Sequence, residues 1–142
     1  MPQINAAGLA LVEESEGCEL TAYLDGGGVA TIGYGHTSGV TLGMTCTQEQ
    51  AQAWLEQDLE VAEKSVQALV EIELTPNEFA ALVDFEYNTG ALAASPGLAL
   101  INERQFEAAW DDHFCLWVHD AAGNVEPGLV TRRAREKALF FS

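Results

Sequence analysis

Basic residues are what this chain has least of. Its 142 residues hold six Lys and Arg against 22 Asp and Glu, a formal net charge of −16. Through residue 131 the cations are Lys64 and Arg104 alone; Arg132, Arg133, Arg135 and Lys137 then crowd the last stretch. Such a chain cannot neutralise a row of phosphates, which excludes nucleic acid as its main partner. The acid excess has an ordinary use in solvating an exposed surface, and the terminal cations are expected to form a local positive face. Cysteine is also scarce. Cys18, Cys46 and Cys115 are odd in number and share no motif spacing, so they are expected to be reduced, mostly buried thiols. His113, Cys115 and His119 fit no zinc spacing, and Asp120 to Asn124 lacks the alternating oxygens of a calcium loop. Long apolar runs are missing as well. No stretch reaches the length of a membrane span, and Met1-Pro2-Gln3-Ile4-Asn5 lacks the basic start of a signal peptide. With 48% hydrophobic residues, the composition describes one soluble globular domain over 1–142.

What is present is strong helix punctuation and one glycine-rich segment. Asn5 is a candidate N-cap for a helix over 5–16 that carries Leu9, Leu11 and Val12. Thr47-Gln48-Glu49-Gln50 resembles a capping box opening a long helix over 48–71, with Trp54, Leu55, Val61, Ala62, Val66 and Leu69 available for a buried face. Thr75-Pro76-Asn77-Glu78 is a second helix start, with a proline in the first turn, and Gly90 ends that helix. Ser95-Pro96 opens a short helix, Phe106 to Phe114 another, and Pro127 the last. Between the first two helices, Thr21–Leu24 and Val29–Tyr34 read as a hairpin closed by Asp25 and three glycines.

The chemistry gathers where that hairpin meets the first helix. Glu16 falls at the helix C-terminus before Gly17, where the dipole disfavours a further negative charge, which suits a proton donor. Asp25 and Thr31 lie on the hairpin. Two carboxylates and a hydroxyl on converging elements are what glycosidic cleavage asks for: an acid, and groups that hold a water or support an oxocarbenium ion.

Glu16-Gly17, Tyr23-Leu24-Asp25, Gly28 and Thr31-Ile32-Gly33-Tyr34-Gly35-His36-Thr37 resemble the active-site segment of the phage-type lysozymes, the muramidases of T4-like and lambdoid phages. The likeness extends to Phe85-Glu86-Tyr87-Asn88-Thr89-Gly90 and to the terminal Gly128 to Phe140 helix. The resemblance implies an α+β, mainly α, lysozyme-like fold of two lobes. A small β lobe would span about 17–46, a linking helix 48–71, and a helical lobe 72–142 together with the N-terminal helix.

The same resemblance implies an endolysin that hydrolyses the β-1,4 bond between N-acetylmuramic acid and N-acetylglucosamine with inversion. Glu16 would be the general acid, with Asp25 and Thr31 positioning the water. Tyr34, Thr37, Tyr87 and Asn88 would contact the glycan. His36 paired with Asp58, and Arg132 packed against Glu16, would support the site. No metal or organic cofactor is called for. The partner is the peptidoglycan strand, with no nucleic acid or membrane, and the chain would act as a monomer held in the host cytoplasm until release. Rival readings are a lytic transglycosylase and a catalytically silent wall-binding or tail-structural module; intact spacing of Glu16, Asp25 and Thr31 speaks against both.

Overall fold

The computed structural model describes residues 3–142. The chain runs α1 (Ala6–Glu16), β1 (Glu19–Leu24), β2 (Ala30–Gly33), α2 (Gln48–Leu69), α3 (Pro76–Thr89), α4 (Gly97–Asn102), α5 (Phe106–Asp112), a 3₁₀ turn (Phe114–Leu116) and α6 (Pro127–Phe140). It is mainly helical with one small sheet, the class the sequence predicts.

The starts of the helices follow local chemistry. Asn5 accepts from the Gly8 N–H at 2.9 Å, and Thr47 accepts from Gln50 at 3.1 Å. At α3 the full reciprocal box forms: Thr75 accepts the Glu78 N–H at 3.1 Å while Glu78 accepts the Thr75 N–H at 2.8 Å. The end of α2 is another matter. It stops at Leu69 rather than 71 because Asn102, at the end of α4, donates to the Leu69 carbonyl and accepts from the Glu71 N–H.

β1 and β2 pair antiparallel, with Tyr23 opposite Thr31 and Leu24 opposite Ala30, and a register irregularity between Glu19 and Tyr23. β1 begins at Glu19, ahead of the expected Thr21, since Glu19 pairs with Gly33. A further bridge, Thr21 to Thr45, lays the segment before α2 along the outer edge of the hairpin. The turn is tied by Asp25, whose Oδ1 accepts from Gly27 and Val29 at 2.9 and 2.8 Å.

The core lies among the helices. α3 is its axis: Phe79 to Phe85 are all buried. Phe85, Trp110, Phe114 and Phe140 form an aromatic cluster, with Trp110 and Phe114 edge-on at 5.0 Å and Trp110 and Phe140 at 5.6 Å. α2 contributes Leu55, Leu59, Ala62 and Val66 at alternating steps of four and three. Val61, expected in that stripe, is 70% exposed, because one residue's rotation about the helix turns it to the opposite side. α1 lies so close on α3 that a Cβ at Gly8 would sit 2.6 Å from the Ala80 Cβ. That contact sets how closely α1, which ends in Glu16, packs on α3. The three thiols are free and half-buried rather than mostly buried.

Candidate active site

Glu16 is the last residue of α1, and the chain leaves it through Gly17 at φ +67°, a conformation that favours glycine. Its carboxyl is held from two sides. Arg132 of α6 donates from Nη1 to Oε2 at 2.6 Å. The loop after β2 leaves room for Oε1: a Cβ at Gly35, whose φ is +82°, would lie 2.8 Å from that oxygen. Only a residue without a side chain fits there. Tyr87 of α3 closes the floor, donating its hydroxyl to the Tyr34 carbonyl at 3.0 Å and so tying the helices to the hairpin loop. Burial, then the charges of Glu16 and Asp58, push the Tyr87 phenol upward, so it is a donor across the working pH range.

Behind Arg132 lies a buried charge cluster. Asp84, fully buried on α3, accepts from Arg132 Nε at 3.0 Å and Nη2 at 2.8 Å. Burial opposes the charge of Arg132, but its bonds to Asp84 and the charges of Asp84 and Glu16 outweigh it and raise the guanidinium further. Arg133 donates from Nη2 to Glu136 at 2.9 Å and to Asn88 at 2.7 Å, with its Nε 2.8 Å from Glu136 Oε1. Complete burial, reinforced by Asp84, holds the Glu136 carboxyl well above the usual range. Burial would raise Asp84 too, yet its hydrogen bonds to Glu136 and Arg132 win and hold it low. The two buried acids are thus driven in opposite directions, Glu136 upward and Asp84 downward. Glu136 lies within the terminal Gly128 to Phe140 motif, with no role attached to it there, and Asp84 is signalled by no motif. The one sequence hint is an acid in the midst of an apolar helical run, Ala80 to Phe85.

Glu16 opens on a cleft of about 370 Å³ lined by Gly35, Thr37, Ser38, Asp58, Tyr87 and Asn88. Of the residues singled out from sequence, Glu16, Thr37, Asp58, Tyr87 and Asn88 thus share one polar cavity. Tyr34 contributes its backbone instead of its ring, since its hydroxyl turns away and accepts from Gln48 Nε2 at 2.7 Å. His36 packs as a supporting residue: Nδ1 is 2.8 Å from Asp58 Oδ2, and the ring stacks on Trp54 at 4.6 Å and 5°. Asp25 and Thr31 are not among the lining residues. They sit on the hairpin, Asp25 exposed with Oδ2 left out of its turn, and Thr31 buried with its hydroxyl donated to the Val29 carbonyl at 2.8 Å. Tyr23 is the cross-strand partner of Thr31, and after burial the charges of Glu16, Glu19 and Asp25 all push its phenol up. Among the described residues, no three His, Cys, Asp or Glu side chains converge as a metal centre requires.

The comparisons with known proteins agree with this fold. The family model "Phage lysozyme" matches residues 13–136. The chain is 38% identical over 149 residues to an endolysin of Salmonella phage P22, covering all of both chains. Among solved structures, the muramidase domain of SpmX from Asticaccaulis excentricus superposes with a TM-score of 0.87 at 35% identity, over 100% of this chain and 99% of that one. A P22 lysozyme mutant superposes at 0.85 and 36% identity, over all of both chains. With the family model matching residues 13–136 and a full-length relative at 38% identity, this chain belongs to the phage lysozyme family.

Proposed function

We propose that Glu16 is the general acid of a muramidase reaction carried out on the cleft it heads. The chain is a peptidoglycan hydrolase of the endolysin type, as its family and relatives support. The observation that carries the assignment is the setting of Glu16: a carboxyl fixed on one oxygen by Arg132, its other oxygen in the space that the missing Cβ of Gly35 leaves free, at the mouth of a polar cavity.

In the reaction, Glu16 donates its proton to the bridging oxygen as the bond between N-acetylmuramic acid and N-acetylglucosamine breaks, and positive charge grows on the ring. Asp25 and Thr31 position the water. The Thr31 proton is committed to Val29, so its oxygen offers lone pairs to a water hydrogen, while Asp25 Oδ2 takes the proton the water gives up. Inversion at the anomeric carbon follows from attack on the face opposite Glu16. Thr37, Tyr87 and Asn88 contact the glycan from the cleft.

Residues 1–142 form a single catalytic domain in this reading, with the hairpin and the 34–46 segment as the smaller lobe. Its partner is the glycan strand, met as a monomer without nucleic acid or membrane, and it waits in the host cytoplasm until the wall becomes accessible. Among the described residues, no helix is long and apolar enough to cross a membrane.

The test is clearing of purified peptidoglycan by wild type and Glu16→Gln. The amide keeps the shape and cannot give a proton, so activity falls by at least about 10²-fold, the usual worth of general acid catalysis. Mass spectrometry of the fragments yields reducing ends; 1,6-anhydro ends would indicate a transglycosylase. Folded wild type that clears nothing at any salt would indicate a wall-binding module instead.

A further inference from the structure

We infer that Asp84 is a positioning residue of this site, which keeps Arg132 from claiming Glu16 as its sole counter-ion and so sets the pH range over which Glu16 can serve. The inference rests on the reading of Glu16 as proton donor.

Arg132 has its Nε and one Nη occupied by Asp84 and only the other Nη directed at Glu16. Both Arg132 and Asp84 are buried, 5% and 0% exposed, so their charges act with little screening by solvent. A lone buried guanidinium 2.6 Å from Glu16 would favour the ionised carboxylate and leave the acid spent. Asp84 supplies the compensating charge one guanidinium's width further in.

Glu136 stands behind Asp84 in the cluster. Burial pushes its carboxyl well above the usual range, Arg133 Nη2 holds it at 2.9 Å, and Arg132 Nε stays 4.0 Å away, so Asp84 is the acid bonded to Arg132 inside the cluster. The other groups facing Glu16 are Tyr87 from α3, Asp58 from α2 and Tyr23 from β1. Arg132 is the sole cation among them, so it is the charge whose balance matters.

The experiment is the pH dependence of kcat/KM on soluble glycan fragments for wild type, Asp84→Asn and Glu136→Gln, with folding followed alongside. Asparagine can still accept one Arg132 N–H, but it removes the negative charge. The basic limb of the Asp84→Asn profile therefore moves to lower pH by roughly 1–2 units, the effect of deleting one buried charge at that range. Glu136→Gln leaves both Arg132–Asp84 bonds in place and leaves the limb where wild type has it. Asp84→Ser, smaller and also neutral, replaces Asp84→Asn if the latter does not fold and is expected to shift the limb the same way.

A limb unmoved in the Asp84 variants, or moved equally by Glu136→Gln, overturns the inference and leaves Asp84 a purely structural anchor. Glu16→Gln runs in the same series. If it stays active, the reading of Glu16 itself falls; if it is inactive while the Asp84 limb stays put, only the role of Asp84 falls.

Discussion

At the scale of single residues, the site is governed by what burial does to charge. Glu136 shows this most directly. Its folded carboxyl lies well above the ordinary value of 4.5, so the folded state binds a proton that the unfolded chain gives up more easily. Such a group contributes stability that is fully present below the unfolded value and is lost as pH rises through the folded one. Gln at 136 keeps the neutral form at every pH. The difference in Tm, Glu136→Gln minus wild type, is expected to grow in favour of the variant as pH is raised from about 4.5 towards 8. Thermal unfolding across that range checks it, and a difference that does not change with pH would overturn the assignment of the proton to Glu136. Gly35 makes the complementary point, since its importance comes from the atom it lacks: the carboxyl of Glu16 occupies the space a Cβ would need.

At the scale of elements, α3 does most to assemble the molecule. It carries the core from Phe79 to Phe85, the Arg132 anchor Asp84, and the cleft residues Tyr87 and Asn88 on successive turns. Its start is secured by a capping box with Pro76 in the first turn. Thr75→Ala removes the side-chain acceptor for the Glu78 N–H and is expected to cost about 1 kcal/mol of stability, as N-cap losses usually do. Specific activity of the folded variant should match wild type, because Thr75 is remote from the cleft lining. Urea unfolding with a parallel clearing assay tests both halves. A loss of activity per folded molecule would mean that the cap also sets the position of Tyr87.

At the scale of the whole molecule, the terminal cations turn out to offer no positive face. Arg132 and Arg133 are buried against Asp84, Glu16 and Glu136, Arg135 lies 3.9 Å from Glu14, and Lys137 lies 2.5 Å from Asp111. These contacts internalise or pair the charges that the sequence groups together, and the net −16 is left to dominate the outside. Peptidoglycan carries carboxylates, so approach is opposed at long range. The screening length falls from about 30 Å at 0.01 M salt to about 3 Å at 1 M. Wall-lytic activity is therefore expected to rise from low salt towards seawater-like ionic strength. Turbidity clearing over a salt series, with circular dichroism to confirm folding, is the measurement; a steady fall in rate by folded protein would show that surface charge does not govern encounter.

The sequence by itself determined the features whose physics is local or whose spacing is registered. Thr47 and Thr75 start helices because each hydroxyl serves an N–H three residues ahead. The hairpin follows from Asp25 bonding its own turn. The Glu16, His36–Asp58 and Arg132 contacts were legible because a family pattern of residue types at fixed separations carries them. Tertiary structure decided the rest. The end of α2 belongs to Asn102, 33 residues beyond Leu69. Val61 faces out and the Tyr34 ring faces away because helix phase and loop path, not residue type, set direction. Asp84 and Glu136 become partners of the site because folding removes them from water together with two arginines. An acid's usual place is the surface, and only its neighbours in space can make burial tolerable.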